Sequence, residues 1–220
     1  MVRRAAIVIS VPDVEHGSFD ILQGADNDAI AVAAWLGVEG YDVEDFIGIK
    51  VKAHHVNDVL SEFIDINSKV YPGKYDFILI YFSGHGIYNA GTDIWLLSNG
   101  INDDSANINL AKAIDNARVS GIENVVFISD ACRTVPKTGA GSRLLGNALF
   151  TIQGTGKKSK VDWFKSTVQD LPAFETNIMG KSRGIFTYAL QEQYIHPAPY
   201  ARTTINGVDV IPNRELETPL

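Results

Sequence analysis

Two side chains of this sequence, His85 and Cys132, belong to the types that carry nucleophilic catalysis. Cys132 is the single cysteine among the 220 residues, so any thiol chemistry of the protein is concentrated there. A neighbouring histidine can take the thiol proton, and the thiolate is the reactive nucleophile. Taken one at a time, each residue has a structural alternative: a hydrogen-bonded histidine and an inert buried thiol. Their similar positions after strong apolar segments favour catalysis.

Those apolar segments are predicted to form buried parallel strands. Three of them are present: Ala5–Ser10, Tyr75–Phe82 and Asn124–Ser129. His85 follows the second within Ser-Gly-His-Gly, and Cys132 follows the third within Asp-Ala-Cys-Arg. Functional groups gather at the carboxyl ends of strands in open parallel sheets, so the two side chains are expected to lie side by side. Gly84 and Gly86 allow a close backbone approach to a substrate and leave N–H groups for an oxyanion hole.

The segments between these strands have the apolar spacing of amphipathic helices. The predicted helices are Asp26–Glu39, about Asn57–Val70 and Asn109–Val119, and Tyr41–Ile49 is a further strand candidate. Strands that alternate with helices are typical of a mostly parallel sheet covered on both faces. The predicted fold class is therefore α/β, with helices on both faces of a central sheet.

Composition limits the class of protein. Hydrophobic residues make up 45% and charged residues 20% of the chain, which is typical of a globular domain and excludes collagen-like or wholly disordered chains. No apolar run approaches the ~20 residues of a membrane helix, so no membrane partner is expected. The net charge of −7 disfavours nucleic acid as a partner. One cysteine cannot form an internal disulfide, which fits a cytoplasmic protein.

The sequence resembles the caspase-like cysteine peptidases, which comprise the caspases, the metacaspases and their bacterial relatives. Tyr81–Gly86 and Ile128–Arg133 are similar to the two signature blocks of that family. Gly24–Ala29 resembles the block that opens the family's first helix, and Gly184–Leu190 resembles a late helix of the small-subunit region. The resemblance implies a three-layer caspase-like fold.

The same resemblance divides the chain into regions of one peptidase domain over residues 1–220. Residues 1–132 correspond to the large-subunit region with the dyad, 133–160 to a flexible, basic, glycine-rich loop, and 161–220 to the small-subunit region. The sequence ends just after a charged, helix-like segment, which suggests truncation at the C-terminus.

The resemblance also assigns roles to individual residues. Cys132 would be the nucleophile and His85 the general acid and base that protonates the leaving amine. The backbone N–H groups of Cys132 and Gly86 would hold the oxyanion. The reaction would be acyl transfer through a thioester, which requires no cofactor.

Substrate specificity is predicted from two acidic residues that match the metacaspases. Caspases that cut after Asp use an arginine just before the first-helix block, and the matching segment here, Ile21–Gly24, has none. Metacaspases cut after Arg or Lys, and Asp130 and Asp28 would pair with such a P1 side chain. An alternative for Asp28 is a solvated carboxylate in the first turn of a helix. Asp26 is either an N-cap or a pocket residue.

The basic loop after Cys132 is a candidate for cleavage by the enzyme itself. Its basic residues would suit a pocket that prefers Arg or Lys, and the candidate sites are Lys137, Arg143, Lys157 and Lys158. The alternative is an ordinary solubilising surface loop.

Two adjacent acidic residues, Asp103 and Asp104, form a candidate calcium site. Some metacaspases need calcium, and acidic, oxygen-rich loops suit this ion. Calcium would then be an activator. The alternative is that the two carboxylates cap the helix that follows near Asn109.

The expected function is a bacterial-type metacaspase-like endopeptidase that cleaves proteins or peptides after a basic P1 residue. Its setting would be regulated proteolysis, cell death or antiviral defence, with a fused or associated sensor domain. One alternative is a catalytically silent caspase-like module for interaction or dimerisation. Another is a relative of the asparaginyl endopeptidases or transamidases.

Overall fold

The fold is known for most of the chain from a computed structural model. It describes residues 2–15, 19–64, 75–135, 143–150 and 158–196, and the backbone of 203–205 and 208–210. The strands are β1 Arg4–Val11, β2 Asp42–Phe46, β3 Phe77–Gly84, β4 Gly86–Asn89, β5 Thr92–Trp95, β6 Ile108–Asn109, β7 Asn124–Ala131, β8 Lys160–Lys165, β9 Glu175–Ile178, β10 Lys181–Gly184, β11 Thr203–Ile205 and β12 Val208–Val210. The helices are α1 Ala25–Val38, α2 Ala53–Ile64, α3 Leu110–Ala117 and α4 Ile185–Ile195, with a 3₁₀ turn at Asp104–Ala106.

Five parallel strands form the central sheet in the order β2-β1-β3-β7-β8. The three predicted strands are its central members, and the further strand candidate is its edge strand β2. β3 and β7 lie directly beside each other, with Ser83 opposite Asp130 and Gly84 opposite Ala131. Both strands continue two residues beyond the predicted ends, because the small and polar residues Ser83, Gly84, Asp130 and Ala131 still pair.

Different helices cover the two faces of this sheet. One face packs against α1 and α4, through the buried side chains Ala6, Val8, Leu79, Tyr81, Val32, Leu36 and Leu190. The opposite face packs against α2 and α3, through Ile7, Ile9, Ile80, Phe82, Phe127, Val56, Leu60 and Ala113. Neighbouring residues of a strand point to opposite faces, so the apolar stretch Ala5–Ile9 of β1 supplies both cores. The predicted layered α/β architecture is confirmed.

The helix starts differ from the prediction in two places. α1 begins at Ala25 with Gly24 as its N-cap, so the alternative that made Asp26 the N-cap is wrong. α2 begins at Ala53, earlier than expected, because Ala53 and Val56 extend the buried stripe of Leu60 and Phe63 by one turn. Residues 65–70 of that predicted helix lie outside the described part of the chain.

Within the described residues, three small antiparallel sheets lie outside the central one, and none of them was predicted from the sequence. They are the sheet β4-β5-β6 and the hairpins β9-β10 and β11-β12. The turn between β4 and β5 has positive φ at Ala90 (48°) and Gly91 (83°), and that between β9 and β10 has positive φ at Met179 (51°) and Gly180 (82°). Two-residue hairpin turns need this conformation, and glycine adopts it without strain.

Part of the segment 133–160 packs against the body of the protein. Leu149 and Phe150 are buried, and Asp104 accepts hydrogen bonds at 2.9 Å from the backbone N–H groups of Leu145 and Gly146. The Asp104 carboxylate therefore anchors residues 145–146.

Candidate active site

His85 and Cys132 lie at one edge of the central sheet because their strands are neighbours. Each is the first residue beyond the last pair of the β3–β7 register, Gly84 opposite Ala131. Gly86 also approaches the nucleophile closely: a Cβ atom built there would lie 2.5 Å from the Cys132 carbonyl oxygen. Only glycine allows this contact, which brings the Gly86 backbone beside Cys132.

The His85 ring is buried and held in one tautomer. Its Nε2 lies 2.9 Å from the backbone carbonyl oxygen of Asp20, and the ring packs at 4.8 Å between centroids on Phe19. A carbonyl oxygen can only accept, so Nε2 carries the proton and Nδ1 offers a lone pair. Burial lowers the pKa of His85 below its ordinary value, so the ring is a neutral base at neutral pH.

Cys132 is partly exposed, and its thiol is protonated at rest. The backbone N–H of Ala173 donates a hydrogen bond to Sγ at 3.3 Å. Burial raises the pKa of the thiol, and the nearby carboxylates of Asp130 and Glu175 raise it further. The two side chains are therefore a thiol and a neutral imidazole at rest.

Arg133 anchors the chain immediately after the nucleophile. Its Nε lies 2.6 Å from Asp93 Oδ1 in an almost buried ion pair, and its guanidinium lies 5.3 Å from the centre of the Tyr88 ring. Its backbone exchanges hydrogen bonds with the segment opposite, donating to Leu171 and accepting from Asp170. These contacts fix the segment that carries Ala173 beside Cys132.

A small, open cavity lies next to the Cys132 thiol. It is lined by Leu22, Asp28, Ser83, Gly84, Asp130, Cys132, Ala173, Phe174, Glu175 and Gly184. Three carboxylates therefore face one cavity whose other walls are mostly apolar or backbone. Sequence analysis predicted two of them, Asp28 and Asp130, and missed Glu175.

Asp28 is a buried carboxylate with partners inside the fold. It is 1% exposed, forms an ion pair with Arg183 Nε and accepts from the Gly184 N–H at 2.6 Å. Burial raises its pKa, although Arg183 and Gly184 oppose that effect. The alternative of a solvated carboxylate at the first turn of the helix is wrong, because almost no surface of Asp28 meets solvent.

Asp130 lies beside Asp28 and bonds to the start of α4. Its Oδ2 accepts from the Thr187 hydroxyl at 2.6 Å and from the Thr187 N–H at 3.2 Å. Burial raises its pKa to about 6, and the neighbouring Asp28 charge acts in the same direction. The N-cap of α4, Gly184, has no side chain, so other groups accept from the N–H groups at this end: Asp130 from Thr187, Asp28 from Gly184 itself, and the Phe174 carbonyl from Ile185.

Glu175 and Asp26 have different places near the cavity. Glu175 lines it, and its carboxylate accepts from the Gly24 N–H at 2.9 Å and the Ser182 hydroxyl at 3.1 Å. Asp26 accepts from the Ser10 hydroxyl and is not among the residues that line the cavity. No local motif marks Glu175, because the contact joins residues 151 positions apart in the chain.

The acidic pair proposed for calcium has other partners. Asp103 forms an ion pair with Lys52 at 3.1 Å, and Asp104 anchors residues 145–146. Neither carboxylate caps α3, whose N-cap Asn109 accepts from the Lys112 N–H, so that alternative is wrong. Within the described ranges, no group of three or more His, Cys, Asp or Glu side chains could hold a metal ion.

Two of the four candidate self-cleavage sites can be located. Arg143 and Lys158 are exposed, whereas Lys137 and Lys157 lie outside the described residues. In the part of the chain that is described, no helix has the length and apolarity needed to cross a membrane.

Comparisons with known proteins agree with this architecture. The sequence profile of the caspase domain family matches residues 3–208. The crystal structure of protein GSU0716 from Geobacter sulfurreducens superposes with a TM-score of 0.59 at 14% identity, over 88% of this chain and 82% of that chain. Caspase-1 from Spodoptera frugiperda superposes with a TM-score of 0.56 at 15% identity, over 88% of this chain and 69% of that chain. No curated protein sequence matches the chain. The expected caspase-like fold is confirmed.

Proposed function

The chain belongs to the caspase domain family of cysteine peptidases, and on this premise we propose that it is an endopeptidase that cleaves after Arg or Lys. One observation carries the proposal. His85 and Cys132 follow two neighbouring strand ends, and two buried carboxylates, Asp28 and Asp130, are among the residues that line the cavity beside the thiol. A thiol, a base and an acidic slot at one sheet edge suit the hydrolysis of a peptide bond after a cationic residue.

In the proposed reaction, Cys132 Sγ attacks the carbonyl carbon of the scissile bond. His85 Nδ1 takes the thiol proton, and the imidazolium keeps its Nε2–H bond to the Asp20 carbonyl. The same proton then passes to the amine nitrogen as the C–N bond breaks, which leaves a thioester on Cys132. Water hydrolyses the thioester and regenerates the thiol. No cofactor takes part.

The negative oxygen of the tetrahedral intermediate would be held by the backbone N–H groups of Gly86 and Cys132. The close approach of Gly86 to Cys132 supports this assignment. Backbone donors that are fixed before the reaction stabilise such an oxygen strongly, because they need no reorganisation.

The cation of the P1 side chain would pair with the acidic base of the cavity. Asp130 is the main candidate. Asp28 contributes less negative charge, since Arg183 already neutralises much of it. Glu175 on the cavity wall adds a third negative group. The arginine that pairs with Asp28 leaves the slot less acidic than three free carboxylates would make it.

A panel of fluorogenic peptides with Arg, Lys, Asp or Asn at P1 tests the proposal. Wild type is compared with Cys132→Ala and His85→Ala, each with and without calcium. Cleavage after Arg or Lys that both variants lose supports the dyad and the acidic slot. Cleavage after Asp or Asn would retain the dyad and reject the specificity. A rate that rises only with calcium would establish an activating ion despite the partners of Asp103 and Asp104.

The second candidate function is a silent caspase-like interaction module. It is favoured by the internal partners of Asp28 and Asp130, both of which bond to the fold itself. A peptide electrophile with basic P1 distinguishes the two functions. Covalent labelling of Cys132 is expected of a peptidase, whereas the absence of labelling together with the absence of cleavage would favour the module.

We further propose a role in regulated proteolysis in the cytoplasm, in cell death or antiviral defence, with a fused or associated sensor domain. Only membership of the family supports this setting. The test is expression of wild type and Cys132→Ala in host cells under stress. Loss of viability that needs Cys132 is the expected result.

A further inference from the structure

We infer that Thr187 is a positioning residue for the specificity slot: its hydroxyl, itself held by Tyr81, keeps Asp130 oriented and charged for a basic P1 side chain. This inference rests on the proposed function, because Asp130 is assigned there to the P1 cation. Thr187 and Tyr81 are not in the cavity lining and touch no proposed substrate. They act only through Asp130.

Three polar groups form a continuous buried chain through the core. The Tyr81 hydroxyl lies 2.8 Å from Thr187 Oγ1, and Thr187 Oγ1 lies 2.6 Å from Asp130 Oδ2. Tyr81 and Thr187 are both fully buried. They come from β3 and α4, so the chain links the central sheet to the last described helix across the base of the slot.

The chemistry of the groups fixes the direction of the hydrogen bonds. A charged Asp130 can only accept, so the Thr187 hydroxyl donates to it. The single proton of Thr187 is then in use, and its oxygen must accept from the Tyr81 phenol. Each donor strengthens the next in a chain of this kind. The chain therefore stabilises the ionised form of Asp130.

Other groups around Asp130 do not supply this stabilisation. Asp28 of α1 raises the pKa of Asp130 by repulsion between the two carboxylates. Arg183 of β10 forms its ion pair with Asp28 and not with Asp130. The Cys132 thiol is neutral at rest. The remaining donors are the Thr187 backbone N–H, which substitution of the Thr187 side chain leaves in place, and the Ser166 hydroxyl just after β8; both have a smaller influence than the Thr187 hydroxyl. Thr187 is thus the main local support of the charge that a basic P1 residue needs.

The experiment compares Thr187→Val, Thr187→Ser and Tyr81→Phe with wild type. Valine keeps the shape of threonine but removes the hydroxyl, whereas serine keeps the hydroxyl. The first measurement is the titration of the Asp130 carboxyl by ¹³C NMR from pH 4 to 8. The second is the pH profile of kcat/KM for a peptide with Arg at P1.

We expect Thr187→Val to move the Asp130 titration, and with it the acidic limb of the Arg profile, upward by about one pH unit. Activity on the Arg peptide at pH 6 falls accordingly by about fivefold. Thr187→Ser restores both measurements. Tyr81→Phe shifts both in the same direction by less, because it removes only the second donor.

An Asp130 titration that stays in place in Thr187→Val and Tyr81→Phe would overturn the inference. So would a titration that moves while the Arg profile does not. The NMR measurement needs no catalysis, so it separates this inference from the proposed function. If wild type cleaves no basic peptide, the proposed function fails and the titration still decides what Thr187 does to Asp130. If Thr187→Val does not fold, Tyr81→Phe and Thr187→Ser decide the outcome.

Discussion

The thiol of Cys132 and the imidazole of His85 are both electrically neutral in the resting protein. Burial lowers the pKa of His85 and raises that of Cys132. The negative charges of Asp130 and Glu175 also disfavour a negative charge on the Cys132 sulfur. A preformed thiolate–imidazolium pair would need shifts in the opposite directions. Under the proposed function, the thiolate would therefore form during attack on a substrate and would not be present beforehand.

Alkylation by iodoacetamide tests this ionisation state, since the reagent reacts with the thiolate. We expect the rate at Cys132 to rise about tenfold per pH unit from pH 6.5 to 8, because a thiol with a raised pKa is mostly protonated throughout that range. Mass spectrometry of the labelled protein gives the rate. His85→Ala should leave the slope unchanged, whereas a plateau near pH 7 in wild type would indicate an ion pair.

Asp130→Asn is expected to reduce activity and increase stability. The amide can still accept from Thr187, but it loses the charge for a basic P1 residue, so kcat/KM for an Arg peptide falls roughly 10–100-fold. The folded-state pKa of Asp130, about 6, lies above the unfolded value of 3.8, so protonation favours folding. That stabilisation is complete below pH 4 and is lost as the pH rises through 6.

Urea unfolding of wild type and Asp130→Asn at pH 4 and pH 7.5 measures the predicted change in stability. Asp130→Asn should match wild type at pH 4 and exceed its free energy of unfolding at pH 7.5, by on the order of 1–3 kcal/mol. A variant that is less stable at both pH values would show that the carboxylate supports the fold instead.

At this scale, the sequence indicated the candidate catalytic residues but not the residues that contact and position them. His85 and Cys132 stand out because their types and the strands before them are local features. The Asp20 carbonyl, Glu175 and Thr187 act through contacts between residues 57 to 151 positions apart. No periodicity or motif within a single segment encodes such a contact.

The hairpin β9-β10 is the element that completes the cavity, and α1 holds it in place. Asn27 Nδ2 donates to the Ser182 carbonyl at 3.0 Å, Gly24 donates to Glu175, and Asp28 pairs with Arg183. The two elements belong to opposite ends of the chain. Their junction leaves no space for a side chain at Gly184, which begins α4 as its N-cap.

Gly184→Ala is therefore expected to destabilise the protein and disturb the slot. The added Cβ would lie 2.4 Å from Asp130 Oδ2 and 2.9 Å from Asp28 Oδ2, so the two buried carboxylates must shift. Overpacking of this kind costs about 1–3 kcal/mol. Thermal or urea unfolding gives the change in stability.

Gly37→Ala is the matched control, because the same methyl group enters open space. A Cβ there meets nothing within 4 Å, and the residue lies inside α1. Alanine should stabilise the helix by about 0.5–1 kcal/mol. If both variants lose stability equally, the tight approach at Gly184 has no special role.

Among the strands and helices, the sequence predicted those whose hydrophobic pattern lies within one continuous segment. The strands β1, β3 and β7 are continuous apolar runs, and α3 has a clear apolar stripe. The hairpins were missed because their strands are short, and β9 is mostly exposed. Their turns at Gly91 and Gly180 were the signal available, since two-residue turns with glycine favour hairpins.

Over the whole molecule, the two regions joined by residues 133–160 are held together independently of that segment. β8 pairs with β7 from Asn124 opposite Lys160 to Ser129 opposite Lys165, and the Asp28–Arg183 ion pair joins α1 to β10. A break in the connecting segment would leave both sets of contacts in place.

Limited digestion with trypsin, which cuts after Lys and Arg, tests this organisation. We expect early cleavage after the exposed residues Arg143 or Lys158, with two fragments on a denaturing gel and one undivided peak on gel filtration. Fragments that separate under native conditions would contradict the prediction. The same bands without trypsin in wild type, but not in Cys132→Ala, would show self-cleavage.

The capping of α4 by Asp28 and Asp130 also has a consequence for the order of events during protein synthesis. Both carboxylates and the Cys132 thiol leave the ribosome before Thr187, which follows Asp130 by 57 residues. At ~5–20 residues per second, roughly 3–11 seconds pass between the two. During that interval Cys132, Asp28 and Asp130 exist without the helix to which Asp130 bonds. Under the proposed function, a nascent chain would therefore have no ordered slot for a basic residue until α4 has been synthesised.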